Sequence, residues 1–135
     1  MDSSSYLQNH ISFKHNKDMS LLYLIHPVLF FIVADMNMWA YKHGLPFKVT
    51  RTIDEKIEGV SVSSTHEEGR AIDVSITGWS TDTIDDFMYY FNGKYSEKYG
   101  AFSYSDGKPR LIPPIDHGTA PHFHVQIRRD IEIDN

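Results

Sequence analysis

Two short stretches of strictly alternating polarity do most to limit the folds open to this chain. Ala71-Ile72-Asp73-Val74-Ser75-Ile76 puts Ile72, Val74 and Ile76 on one side of a strand and Ala71, Asp73 and Ser75 on the other. Along Pro121 to Ile127 the pattern returns, with Phe123, Val125 and Ile127 on one side and His122, His124 and Gln126 on the other. A period of two with apolar residues on one side only suits a sheet with a single buried face, because a slip of one residue would expose every apolar side chain. The expectation is an α+β fold: a small antiparallel sheet, apolar behind against packed helices, with a polar site on its open face.

The helices are legible from their ends. Pro27 fits the first position of a helix, where its missing N–H costs nothing, and Gly44 after His43 is a left-handed stop, so a helix is predicted over Pro27 to His43. Val28 to Ala34 is apolar all round, which predicts a helix covered on most sides, with Trp39 and Tyr41 continuing the packing. The apolar run from Leu21 to Ala34 is shorter than the ~20 residues of a membrane span and contains His26-Pro27, so no stable membrane insertion is expected. A second helix begins at the capping cluster Ser80-Thr81-Asp82 and carries Ile84, Phe87, Met88 and Phe91 as one buried stripe, with Asn92-Gly93 a point where it ends or bends. Phe47 to Arg51 reads as a strand and Asp54 to Ser64 as a polar loop. Ala101 to Ser105 and Arg110 to Ile112 flank Asp106-Gly107, a hairpin-turn pair that Pro109 weakens, and the tail from Arg128 to Asn135 reads as solvated.

Composition narrows the chemistry. The 135 residues make one domain, with a core over about 20–128 and polar tails at both ends. Carboxylates outnumber Lys and Arg by 18 to 13, and a net charge of −5 without a basic stripe argues against a nucleic-acid partner. With no cysteine, there is neither a disulfide framework nor a thiolate metal site; any metal must be held by imidazole and carboxylate, drawn from eight histidines. Met1-Asp2-Ser3-Ser4-Ser5 lacks the charged start and apolar run of a secretory signal, so export by that route is not expected.

Three residues answer the metal requirement. A loop histidine, His66, followed by Gly69 for a sharp reversal and then by the strand carboxylate Asp73, can converge on one metal, and His124 completes a set of two imidazoles and one carboxylate. Such a set leaves zinc a net positive charge and an open position, which is the form of a catalytic rather than a closed structural site.

The same residues carry a family resemblance. Ser64-Thr65-His66-Glu67-Glu68-Gly69-Arg70-Ala71-Ile72-Asp73 resembles the Ser-x-His-x-x-Gly-x-Ala-x-Asp motif of the zinc D-Ala-D-Ala carboxypeptidases and L-alanyl-D-glutamate endopeptidases, which share a fold with lysostaphin and hedgehog domains and include many phage endolysins. His122-Phe123-His124-Val125-Gln126-Ile127 is similar to the closing His-x-His segment of that group, and Thr50-Arg51-Thr52 to the segment that places a substrate-binding arginine. The likeness runs from about His26 to Ile127.

The resemblance implies zinc held by His66, Asp73 and His124, and hydrolysis of a peptidoglycan stem-peptide bond beside a D-amino acid. It implies that Arg51 binds a substrate carboxylate or the developing oxyanion. Many relatives place a catalytic Glu or Asp three residues before the last ligand, where this chain has Pro121. Two replacements stand open: His122 beside the metal, or Asp116 (or His117) from the preceding loop. Some relatives read Pro-His-Phe-Glu, which would make His122 the ligand, but the run after His124 fits the group's ligand-apolar-polar-apolar order better. Glu67 and Glu68 read as solvated loop charges and Ser64 as a support for the His66 loop. The expected setting is an endolysin held in the cytoplasm until the membrane is breached, or an enzyme carried in a virion. The rival is a binding or virion structural protein that keeps the zinc scaffold without hydrolysis, as the hedgehog domains resemble the fold without an established peptidase role.

Overall fold

Pro27 does open a helix. In the computed structural model, which describes residues 11–14, 17, 22–52, 69–102, 106–113 and 122–131, α1 runs Pro27–Lys42 with His43 as its C-cap. It is preceded by strand β1, Ile11–Phe13, and a single 3-10 turn at Leu22–Leu24, and followed by β2, Phe47–Arg51. β3 spans Ala71–Ser75, α2 Thr81–Tyr99, β4 Ala101–Phe102, β5 Pro109–Arg110 and β6 His122–Gln126. None of the helices among the described residues is long and apolar enough to cross a membrane.

The main sheet has the order β1-β2-β3-β6, and β4-β5 form a separate two-stranded ribbon turned at Asp106-Gly107. β2, β3 and β6 are antiparallel neighbours, as the alternation implies. The sheet as a whole is mixed, not antiparallel, because β1 lies parallel to β2. The cause is topological: the chain from β1 to β2 passes through α1, and a crossover through a helix returns the strand in the same direction. Three residues, Ile11-Ser12-Phe13, are too few for a sequence period to register.

Ile72, Val74, Phe123, Val125 and Ile127 are fully buried on the helix-facing side, in one cluster with Leu29, Ile32, Val33 and Met36 of α1 and Phe87 and Phe91 of α2. Aromatic rings join the layers: Phe87 stacks on Phe123 with centroids 4.7 Å apart and meets Trp39 and Trp79 edge-on at 5.3 and 5.2 Å. α1 is covered around most of its circumference: over Val28 to Ala34 only Phe31 is exposed, while Leu29, Ile32 and Val33 are buried and Val28, Phe30 and Ala34 pack against the core. Phe31 and Tyr41 remain 66% and 58% exposed, so Trp39 continues the packing as expected but Tyr41 does not.

Two further expectations are corrected. α2 passes through Asn92-Gly93 unbroken to Tyr99, since a glycine costs a helix interior only ~1 kcal/mol and Asn92 has tertiary partners that hold the turn. The start of the tail is docked at Arg128 and Ile131, with Arg129 and Asp130 exposed between them, and residues 132–135 lie outside the described residues. The Arg128 guanidinium donates to the carbonyls of Glu97 and Lys98 at the end of α2, and Ile131 packs on the core.

His26 ties the start of α1 to that docked tail. Its Nδ1 accepts from the Val28 N–H as a helix cap, so the ring's proton sits on Nε2 and is donated to the Ile131 carbonyl at 3.1 Å. Burial, then the Arg70 charge, push its pKa below the ordinary 6.5, against a smaller upward pull from the Ile131 carbonyl. The unfolded chain takes up a proton at His26 as pH falls through about 6.5, whereas the folded chain resists until lower pH; stability held above that value is therefore lost as pH falls. The urea midpoint of wild type should accordingly drop between about pH 7.5 and 5.5 more than that of His26→Asn, which keeps a cap without a titrating ring. Parallel pH dependences in the two proteins would show that His26 is not the group responsible.

Candidate metal centre

β3 supplies Asp73 at the middle of the sheet, and its two neighbours supply the rest. Asp73 pairs in register with Arg51 of β2 and with His124 of β6, so the three side chains lie in one row across the polar face. Strand parity alone would turn Arg51 inward with Val49, which faces the core opposite Val74. The register shift between Val49 and Arg51 is a bulge, and its extra residue re-aims Arg51 to the polar side. The row is thus built by one bulged ladder, β2–β3, and one regular ladder, β3–β6.

The geometry is close. His124 Nδ1 lies 2.9 Å from Asp73 Oδ1, and Arg51 Nη1 lies 3.9 Å from Asp73 Oδ2. Asp73 is only 7% exposed, so its carboxylate is largely shielded from water and lies against these neighbours. The other ring nitrogen of His124, Nε2, is 2.8 Å from Gln126 Oε1. Burial lowers the affinity of the His124 ring for a proton, but the hydrogen bonds to Asp73 and Gln126 and the Asp73 charge outweigh it, and the pKa is raised above 6.5. Two oxygens facing the two ring nitrogens favour the protonated ring, which is the direction of the shift.

Asp73 and His124 present a donor set of one borderline nitrogen and one hard oxygen. Two such ligands on a tetrahedral zinc lie about 3.3 Å apart, so the 2.9 Å spacing needs little change to accept the ion. These two residues fit. Among the described residues no third His, Cys, Asp or Glu joins them to make a metal-holding group. The third expected ligand, His66, lies outside the described residues, as do Ser64, Glu67, Glu68, Asp116, His117 and Pro121.

The exit of the His66 segment is nevertheless fixed. Gly69 has φ +71°, a left-handed conformation, and its carbonyl accepts from the His26 N–H at 2.9 Å. Arg70 then donates to the carbonyls of Arg128 and Ile131, while its own carbonyl accepts from Ile127 N–H. Gly69→Ala should cost about 1–2 kcal/mol, the penalty of a Cβ in that region, and a lower melting temperature in thermal unfolding checks it. An unchanged melting temperature would mean that the turn is not held in that conformation in solution.

His122 sits two residues before His124 on β6 and on the same face, in register with Ser75. This places it beside the row, in line with the parity argument. Two groups escaped the sequence reading. Gln126 shows the same parity as His124, which was the available signal. Asn92 and Ser96 on α2 act as a substitute strand: Asn92 accepts from the Ile112 N–H and donates to the Ile112 carbonyl, and Ser96 Oγ accepts from the Leu111 N–H, at 2.9 to 3.0 Å. The Leu111 carbonyl in turn accepts from Gln126 N–H, so the residues before the Asp116 loop are locked to both α2 and β6. No pattern in the sequence marks a helix-borne amide as a strand partner.

Compared with known families, curated proteins and solved structures, the chain matches no family model, no curated protein and no solved structure.

Proposed function

We propose that the chain is a zinc-dependent peptidase that hydrolyses peptidoglycan stem-peptide bonds adjacent to a D-amino acid, of the endolysin or D,D-carboxypeptidase type. The observation that carries this reading is the row Arg51, Asp73, His124, which places two expected zinc ligands and the expected substrate arginine on one polar face. The motif that ends in Asp73 supplies His66 as the third ligand. Bound zinc would contribute a Lewis acid for the scissile carbonyl and for the attacking water.

The chain's own residues take the remaining roles. Arg51 offers a fixed guanidinium to a substrate carboxylate or to the oxygen that gains charge, and its contact with Asp73 is long enough at 3.9 Å to be exchanged for a substrate. His122, on the His124 face, or Asp116 moves the proton from water to the leaving amine. Synthesis in the cytoplasm followed by action on the wall, or carriage in a virion, belongs to the same proposal.

A second reading keeps the metal and drops the hydrolysis: a zinc-containing binding or virion structural protein. Pro121, standing where the catalytic carboxylate of many relatives stands, favours it. Turbidity of purified peptidoglycan separates the two. The peptidase clears the suspension, stops on addition of a chelator, resumes with zinc and is inactive as His66→Ala. An intact wall with zinc-loaded wild type selects the binding protein, and metal analysis that finds no zinc in fresh protein removes the basis of both.

A further inference from the structure

We propose that Gln126 is a positioning residue for the metal centre: its side-chain carbonyl accepts the Nε2–H of His124 and so directs the Nδ1 lone pair to the metal beside Asp73. The proposal rests on the zinc reading above and gives the polar position after His124 a role that the ligand set does not contain. An imidazole that binds a metal is neutral and has one lone pair to give, so its proton must reside on the other nitrogen and find an acceptor. In this site the nitrogen facing Asp73 Oδ1 is Nδ1, at 2.9 Å, and the nitrogen facing away is Nε2, 2.8 Å from Gln126 Oε1. A ring that is largely enclosed cannot give that proton to bulk water at no cost, and Gln126 is the side chain placed to receive it.

The placement of Gln126 is itself determined. It follows His124 by two residues on a strand, which puts both side chains on one face. Its backbone is held from both sides, by register with Ala71 of β3 and by donation of its N–H to the Leu111 carbonyl at 2.9 Å. Leu111 is anchored on Ser96 of α2, so the chain of support runs from helix to loop to Gln126 to the ring of His124. An amide suits this position because its carbonyl accepts the proton without adding a negative charge to a site that already holds Asp73.

Two variants and one spectrum test this. Gln126→Met keeps the length and removes the acceptor, while Gln126→Glu restores an acceptor. Zinc affinity, measured by competition with a chromogenic chelator, should fall about 10–100-fold in Gln126→Met and stay within about threefold of wild type in Gln126→Glu. Circular dichroism should be unchanged in both. In the zinc-loaded wild type, long-range nitrogen–proton correlation of the histidine rings should show His124 protonated at Nε2 and metal-bound at Nδ1. Gln126→Met binding zinc as tightly as wild type, or His124 carrying its proton at Nδ1, overturns the role of Gln126 alone. A wild type that takes up no zinc overturns the metal centre and this role with it. Because the spectrum is taken on wild type, the proposal stays testable even if Gln126→Met does not fold.

Discussion

Asp73→Asn should lower zinc affinity by more than about 100-fold and reduce peptidoglycan clearing to background, while leaving the secondary structure intact. The substitution keeps the shape and most hydrogen-bonding capacity of the side chain and removes only the charge. The charge is what the position is built around: Asp73 is almost fully buried, with His124 Nδ1 at 2.9 Å and Arg51 Nη1 at 3.9 Å. A divalent ion placed there without its carboxylate would face Arg51 and one imidazole with no compensating anion in the row. The expected loss exceeds the roughly 10–100-fold of an outer-shell change because the proposed centre has Asp73 as a direct ligand. Metal-free stability should respond quite differently. Asp73 costs desolvation that its cationic neighbours only partly return, so the unloaded Asp73→Asn protein should unfold at a temperature close to that of wild type. Zinc binding within about threefold of wild type would show that Asp73 orients His124 without touching the metal.

Why Asp73 was legible and Arg51 less so is a matter of strand parity. A strict period of two tells which residues share a face, and β3 and β6 keep it without interruption, so the alternation alone places Asp73, His122 and His124 on the polar side. The partner strand β2 breaks the period with its bulge, and parity by itself would have put Arg51 in the core. Capping residues marked the ends of α1 at Pro27 and His43, and the start of α2 at Ser80. Features that depend on contacts between distant segments were not legible. The parallel strand β1 is too short to show a pattern, the docking of Ile131 depends on His26 and Arg70, and the role of Asn92 depends on Ile112. Hydrophobic periodicity reports how a segment divides its own two sides, and it carries no information about which distant backbone groups its polar residues will satisfy.

Phe87→Ala should be the most destabilising substitution in the core, with a loss of about 3–5 kcal/mol in equilibrium unfolding. Phe87 has no exposed surface and its ring meets Trp39, Trp79, Phe91 and Phe123, so truncation opens a cavity at the point where α1, α2 and the sheet touch the same side chain. Against a total stability of roughly 5–15 kcal/mol for a domain, that is a large fraction. The consequence reaches the site because Phe123, stacked on Phe87, lies between His122 and His124 in the sequence and on the opposite face of the same strand. Loosening Phe123 therefore loosens the strand that carries His124, the proposed ligand. If the row is the proposed zinc centre, zinc would bind the folded state and should return part of the loss: about 2.7 kcal/mol at a free concentration roughly 100 times the dissociation constant. The melting temperature of Phe87→Ala should rise with zinc as that of wild type does, whereas Asp73→Asn should show at most a small rise, equivalent to no more than about 0.4 kcal/mol, at the same concentration. If zinc raises the melting temperature of Asp73→Asn as much as that of Phe87→Ala, the ion is binding elsewhere, and the row formed by Arg51, Asp73 and His124 is a structural ion-pair network rather than a metal centre.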